Sequence, residues 1–186
     1  MRDISMVCDD ASFFNKEAIY YPAKDAIFYS ADVHGNQITG ERLRCISRII
    51  NHSSTGEGVL TVVTTMDGIA DRLIPVERFK EAVITLDYSS EIEPEKLAKK
   101  LVAMGFVRTG MVEDKGQFAI RGGIIDIFSY TDEAPVRIEL WDTEVDSIRM
   151  FDVESQRSIE RLQSYSIFPA TEYIFTEDEL KNGLYN

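Results

Sequence analysis

The stretch Gln117 to Asp152, QFAIRGGIIDIFSYTDEAPVRIELWDTEVDSIRMFD, constrains the fold most, because run after run alternates with the period of a β-strand. In the first run Phe118 and Ile120 share one side and Ala119 and Arg121 the other. Gly122 and Gly123 interrupt the alternation. Paired glycines inside an apolar run predict a bulge or a close backbone approach, after which Ile124, Ile125, Ile127 and Phe128 resume a largely buried strand. Beyond the turn-like Thr131 to Pro135, VRIELW places Val136, Ile138 and Leu140 inward and Arg137, Glu139 and Trp141 outward. Asp142-Thr143-Glu144 is short and polar, so a tight connection returns the chain antiparallel as VDSIRMF, and the whole stretch reads as a meander.

Upstream the signals are those of a mixed α/β layer. Residues 1 to 22 carry no sustained period and read as loop and short elements. AIFYS, Ala26 to Ser30, predicts a short strand. Ile38 to Ile50 carries Leu43, Ile46, Ile49 and Ile50 at helical spacings, with Thr39 as N-cap, and NHSSTGEG, Asn51 to Gly58, is turn-rich. Val59 to Thr65 is a β-branched apolar run suited to a strand buried on both faces. Met66 to Leu73 predicts a short helix that ends before Pro75.

From Ile84 the character changes. ITLDYSS reads as a strand, Pro94 sits where a first helical turn tolerates proline, and Leu97, Leu101 and Met104 form an apolar stripe closed by Gly105. Phe106 to Val112 and Ile159 to Phe168 each predict one further strand. These patterns imply an α/β class: an incomplete N-terminal α/β layer over residues 1–83, an α+β module with a mainly antiparallel sheet over 84–168, and the start of a following segment over 169–186.

The formal net charge of −12 argues against broad nucleic-acid binding, which needs clustered Lys and Arg to neutralise phosphates. Cys8 and Cys45 lie far apart without a CxxC pair, which favours reduced structural thiols over a zinc site. No apolar run approaches the roughly 20 residues of a membrane span, and MRDISMVCDD lacks the apolar core of a signal peptide, which points to a cytoplasmic protein. No G-x-x-x-x-G-K-[ST] string offers a phosphate cradle, and neither histidine sits in a catalytic motif, so no catalytic residue, cofactor or metal is assigned. Carboxylate pairs such as Glu144 with Asp146 fit a solvated surface. Tyr20 and Tyr21 fit a packed strand end better than a base-stacking platform.

Arg121, Arg137 and Trp141 stand apart. Arg137 and Trp141 share a face by strand period, and Arg121 joins them if its strand pairs nearby in a compatible register. Arginine and tryptophan are enriched at interface hot spots, since a planar fork and a large ring add contact for little lost freedom. The alternative is a surface cation stacked on the indole or paired with Glu139.

The strings GQFAIRGGIIDIF, PVRIELWDTEVDSIRMFD, SQRSIE and FPATEYIF resemble, in this order, the N-terminal module of the bacterial transcription-repair coupling factors, which is itself similar to part of the excision-repair protein UvrB. The likeness is dense from Ile84 to Phe175. It implies that residues 1–83 are the remnant of a RecA-like domain, that the chain begins partway through that domain, and that 84–168 is a non-catalytic domain binding the damage-recognition ATPase UvrA. It also implies that Arg121 and Arg137, with an aromatic at Trp141, form that binding surface. The family aromatic is often phenylalanine, so tryptophan is a departure. RNA polymerase and DNA would be engaged by other domains of the parent protein, an ATP-dependent translocase, whose free form would mask the arginine face. Two other readings remain: a fragment of a UvrB-type ATPase, against which the short NKEAIYY and Gly123 argue, and a structural or autoinhibitory domain.

Overall fold

Arg121 and Ile124 stand opposite each other with only Gly122 and Gly123 between them, and this hairpin organises the larger sheet. The structure, a computed structural model, describes residues 18–24, 33–55, 58–70, 73 and 75–174. They fall into two compact units, one reaching to Val76 and the other starting at Glu77.

In the first unit, β1 (Ala18–Tyr21) and β2 (Thr61–Thr64) pair in parallel, and α1 (Val33–Thr55) lies between them in sequence. Ile19, Tyr21 and Cys45 form a small core with Ile46 and Leu60 against it. Tyr21 is indeed a packed strand end: the Arg42 guanidinium stacks 4.3 Å from its ring centroid, and Arg42 donates to the Pro22 carbonyl at 2.7 Å. The helix is longer than its apolar period predicts. Thr39 lies inside it, not at its start, and Asn51 to Thr55 extend it, because Ser53 and Ser54 turn their hydroxyls back onto the Ile50 carbonyl instead of opening a turn. The strand expected at Ala26 to Ser30 lies outside the described residues. Val59 and Val62 are exposed, so the run expected to be buried on both faces is not; among the described residues β2 pairs with β1 alone. α2 (Met66–Ala70) follows, and Thr65 caps it by accepting from the Gly68 amide at 3.1 Å. α3 (Val76–Ala82), which the period did not announce, belongs from Glu77 onward to the second unit and buries Phe79.

The second unit holds β3 (Ile84–Asp87), α4 (Pro94–Ala103), β4 (Val107–Arg108), β5 (Gln117–Arg121), β6 (Ile124–Phe128), β7 (Val136–Trp141), β8 (Glu144–Phe151), β9 (Ser158–Arg161) and β10 (Ser164–Ile167). β4 to β9 form a six-stranded sheet in chain order, antiparallel except for the β4/β5 pair, while β3 and β10 pair separately. The expected α/β class with a mainly antiparallel module therefore holds. Strand expectations change at three places, and at the first of them only Val107–Arg108 of the run Phe106 to Val112 forms a strand. The paired glycines do not re-aim one strand; they reverse the chain, with Gly122 at φ +60°, a conformation that suits glycine. The close approach foreseen there is real, since a Cβ on Gly123 would lie 2.8 Å from the Leu140 carbonyl oxygen. Ile159 to Phe168 is not one strand but two, in different sheets.

The core lies on one sheet face, where Phe118, Ile125, Ile127, Val136, Ile138 and Ile148 pack with Leu97, Ala98 and Leu101 of α4. α4 opens with Pro94 in its first turn and closes in a Schellman motif, the Phe106 amide donating to Leu101 at 2.9 Å and the Gly105 amide to Val102 at 3.0 Å, with Gly105 at φ +89°. Tyr165 of β10 donates to Asp132 at 2.5 Å, tying the small sheet to the loop between β6 and β7.

Candidate functional site

The opposite face of the six-stranded sheet carries charge. Strand pairing sets Asp126 of β6 directly across from Ala119 of β5 and from Arg137 of β7, and sets Arg137 across from Arg149 of β8. The Asp126 side chain is 2% exposed, and a carboxylate buried this deeply needs partners. Arginines supply them. Arg137 forks onto it, Nε to Oδ1 at 2.6 Å and Nη2 to Oδ2 at 2.9 Å, and Arg121, one pleat along from Ala119, adds Nη2 to Oδ2 at 2.6 Å. Asp126 raises the guanidinium pKa of Arg137 further above its already high value.

Arg137 has further support. Its guanidinium stacks 4.2 Å from the centroid of the Phe151 ring, and its Nη2 also donates to Gln156 Oε1 at 2.8 Å. Gln156 is held in a left-handed conformation, φ +58°, by its backbone amide, which donates to the Asp152 carbonyl, and by its side-chain amide, which donates to the Val153 carbonyl. Asp152 shapes the same turn by accepting from the Ser155 amide and hydroxyl, which hold its carboxyl below the usual range. Beside this network Glu139 pairs with Arg149 and accepts from the Ser147 hydroxyl at 2.8 Å. The pairing considered from sequence, Arg137 with Glu139 or with the indole, is not formed: Asp126 takes the charge and Phe151 the stacking.

Trp141 stands at the end of β7 and is 80% exposed. Strand period puts it on the face of Arg137, next to the hairpin in which Asp142 adopts φ +58°. The structure thus brings Arg121 and Arg137 onto one carboxylate and leaves Trp141 on their face without a stacked cation. Among the described residues no group of three His, Cys, Asp or Glu side chains gathers as a metal site, and no helix is long and apolar enough to cross a membrane.

Residues 84–173, which hold all of these side chains, match the family described as the UvrB interaction domain. Over 177 residues the chain is 41% identical to the transcription-repair-coupling factor of Bacillus subtilis, covering 95% of this chain and 14% of that protein. The chain carries a UvrB interaction domain of the transcription-repair-coupling type. Factors of the same name from Staphylococcus aureus and Staphylococcus haemolyticus are 37% identical over 175 and 168 residues, covering 94% and 90% of this chain and 14% of each relative. The chain therefore spans about one seventh of the length of these relatives.

Within this UvrB interaction domain, Asp126, Phe151 and Gln156 are the residues that sequence reasoning passed over. A signal for Asp126 was available: an acid in the middle of IIDIF, a run otherwise apolar enough to be buried, demands a buried cationic partner. Phe151 and Gln156 carried no such mark, because their roles depend on a strand register and on a turn conformation.

Proposed function

We propose that the chain is a non-catalytic protein-interaction module of a transcription-repair coupling factor, which recruits UvrA in transcription-coupled nucleotide excision repair. The observation that carries this reading is the convergence of Arg121 and Arg137 on Asp126 beside the exposed ring of Trp141. Two cations on one carboxylate leave a net positive centre, which steers an acidic partner and fixes its orientation, while the indole offers apolar contact to be desolvated on docking. The surface is the middle of the sheet, β5 to β7, and not its edge. Residues 1–83 would be a partial RecA-like domain, 84–168 the binding domain and 169–186 the start of the next. Engagement of RNA polymerase and DNA would belong to the rest of the longer protein.

A second reading has the same support: a surface with an indole this exposed also suits an intramolecular cover in a longer parent protein, as the relatives are, of whose length this chain spans 14%. Titration of the chain with purified UvrA separates the two. Binding that Trp141→Ala weakens by about tenfold or more, with the thermal transition unchanged, is the expected result for a hot spot. A folded wild-type chain that does not bind UvrA would sink the recruitment reading and favour the internal cover.

A further inference from the structure

The two arginines of the candidate surface are not in equivalent states. Arg137 is 12% exposed; its Nε and Nη2 both donate to Asp126, Nη2 also reaches Gln156, and its plane lies on Phe151. Arg121 is 41% exposed and gives Asp126 a single contact, with Nη1 only loosely directed at the Gly110 carbonyl, 3.4 Å away. An incoming carboxylate can therefore reach the open edge of Arg121 without breaking the Asp126 network. A forked approach to Arg137 through Nη1 and Nη2 would instead displace Gln156 from Nη2.

We propose that Asp126 is a positioning residue of the interaction surface: it fixes Arg137 as a brace and aims Arg121 as the arginine that an acidic partner contacts, with Gln156 completing the brace. The proposal rests on the reading that this face docks an acidic protein surface. It makes a prediction that charge counting reverses. Neutralising Asp126 makes the face more positive by one unit, so electrostatic complementarity alone would tighten an acidic partner. Positioning predicts the opposite, since a guanidinium released from its carboxylate loses its fixed direction and must be ordered again on binding.

The experiment titrates the 186-residue chain with purified UvrA, comparing wild type, Asp126→Asn, Arg121→Ala, the double variant and Glu154→Gln, an exposed turn residue that removes the same charge without touching either arginine. Asp126→Asn is expected to weaken binding by about tenfold, Glu154→Gln to leave it within about twofold or tighten it, and the double variant to bind no worse than Arg121→Ala alone, because residues in one network do not add. Such non-additivity is a readout that a general loss of stability would not produce. Should Asp126→Asn fail to fold, Gln156→Gly removes one bond of the brace while suiting the φ of +58°, and is expected to weaken binding by about threefold. Unchanged or tighter binding by a folded Asp126→Asn, strict additivity in the double variant, or full affinity in Gln156→Gly would each overturn the assignment while leaving the partner intact. Absence of wild-type binding would instead overturn the proposed partner, and this assignment with it.

Discussion

On one face of the β5 to β8 meander stand Phe118, Ile125, Ile127, Val136, Ile138 and Ile148; on the other stand Arg121, Asp126, Arg137, Glu139 and Arg149. The same strands, read one residue out of step, thus produce two different kinds of cohesion. The apolar face is held by area removed from water, which is non-directional and tolerates repacking. The charged face is held by stoichiometry and geometry, because a carboxylate 2% exposed is acceptable only while its arginines stay in place. The first face supplies stability, and the second spends part of it on keeping cations in fixed positions where a partner can find them.

This contrast can be broken at graded cost. Phe118 is fully buried beneath α4, so Phe118→Ala should lose about 3–5 kcal/mol of transfer and cavity energy and lower the urea midpoint more than any change on the charged face. Arg137→Met comes next. It leaves Asp126 with Arg121 alone and should cost about 3 kcal/mol, the low end for a broken buried pair. Replacing both partners, Asp126→Leu with Arg137→Met, should cost less than Arg137→Met by itself in the same urea series. If the double variant is the worse of the two, the network is a net source of stability and the contrast between the faces collapses.

The smallest effect lies at the rim of the apolar face, where Tyr165 donates to Asp132. Burial first, then the neighbouring Asp132 charge, push the Tyr165 hydroxyl well above its ordinary value near 10, and burial likewise raises the Asp132 carboxyl. A phenol raised in the fold favours the native state in its neutral form. Its contribution is intact below about pH 10 and is lost as pH climbs through the folded value. Tyr165→Phe should cost about 1 kcal/mol at neutral pH and flatten the loss of stability above pH 10, measured as the transition temperature across alkaline buffers. An unchanged alkaline slope would remove Tyr165 from the account.

How much of this could be read beforehand follows the same division. VRIELW announced both faces of β7, and the inward set Val136, Ile138 and Leu140 all meet the core, because a period of two needs no knowledge of neighbours. Arg137 and Trp141 were placed on one face for the same reason. What Arg137 does there depends on β6 and β7 pairing Asp126 with it, and register is a tertiary fact. The Gly122-Gly123 pair shows the limit in miniature. A close backbone approach was one of the two readings of the pair, but a bulge and a hairpin ask for the same glycines, and only the pairing of Arg121 with Ile124 decides between them. The length of α1 escaped because its ends are polar: Ser53 and Ser54 read as turn residues until their hydroxyls are seen folded onto Ile50. β9 and β10 were merged because nothing in their composition records a change of sheet.

The closing turn of α4 has a consequence for anyone who wishes to move this module elsewhere. The Met104 carbonyl, left without a partner by the end of the helix, accepts from the Ala170 amide at 2.9 Å, and Thr171 sits so close over Gly105 that a Cβ there would come within 2.8 Å of it. Ala170 and Thr171 are therefore a clasp on the helix and not a handle for a linker. A graft cut at Phe168 would leave that carbonyl bare and Ala170 missing from the core it fills, so the portable piece has to carry its clasp along.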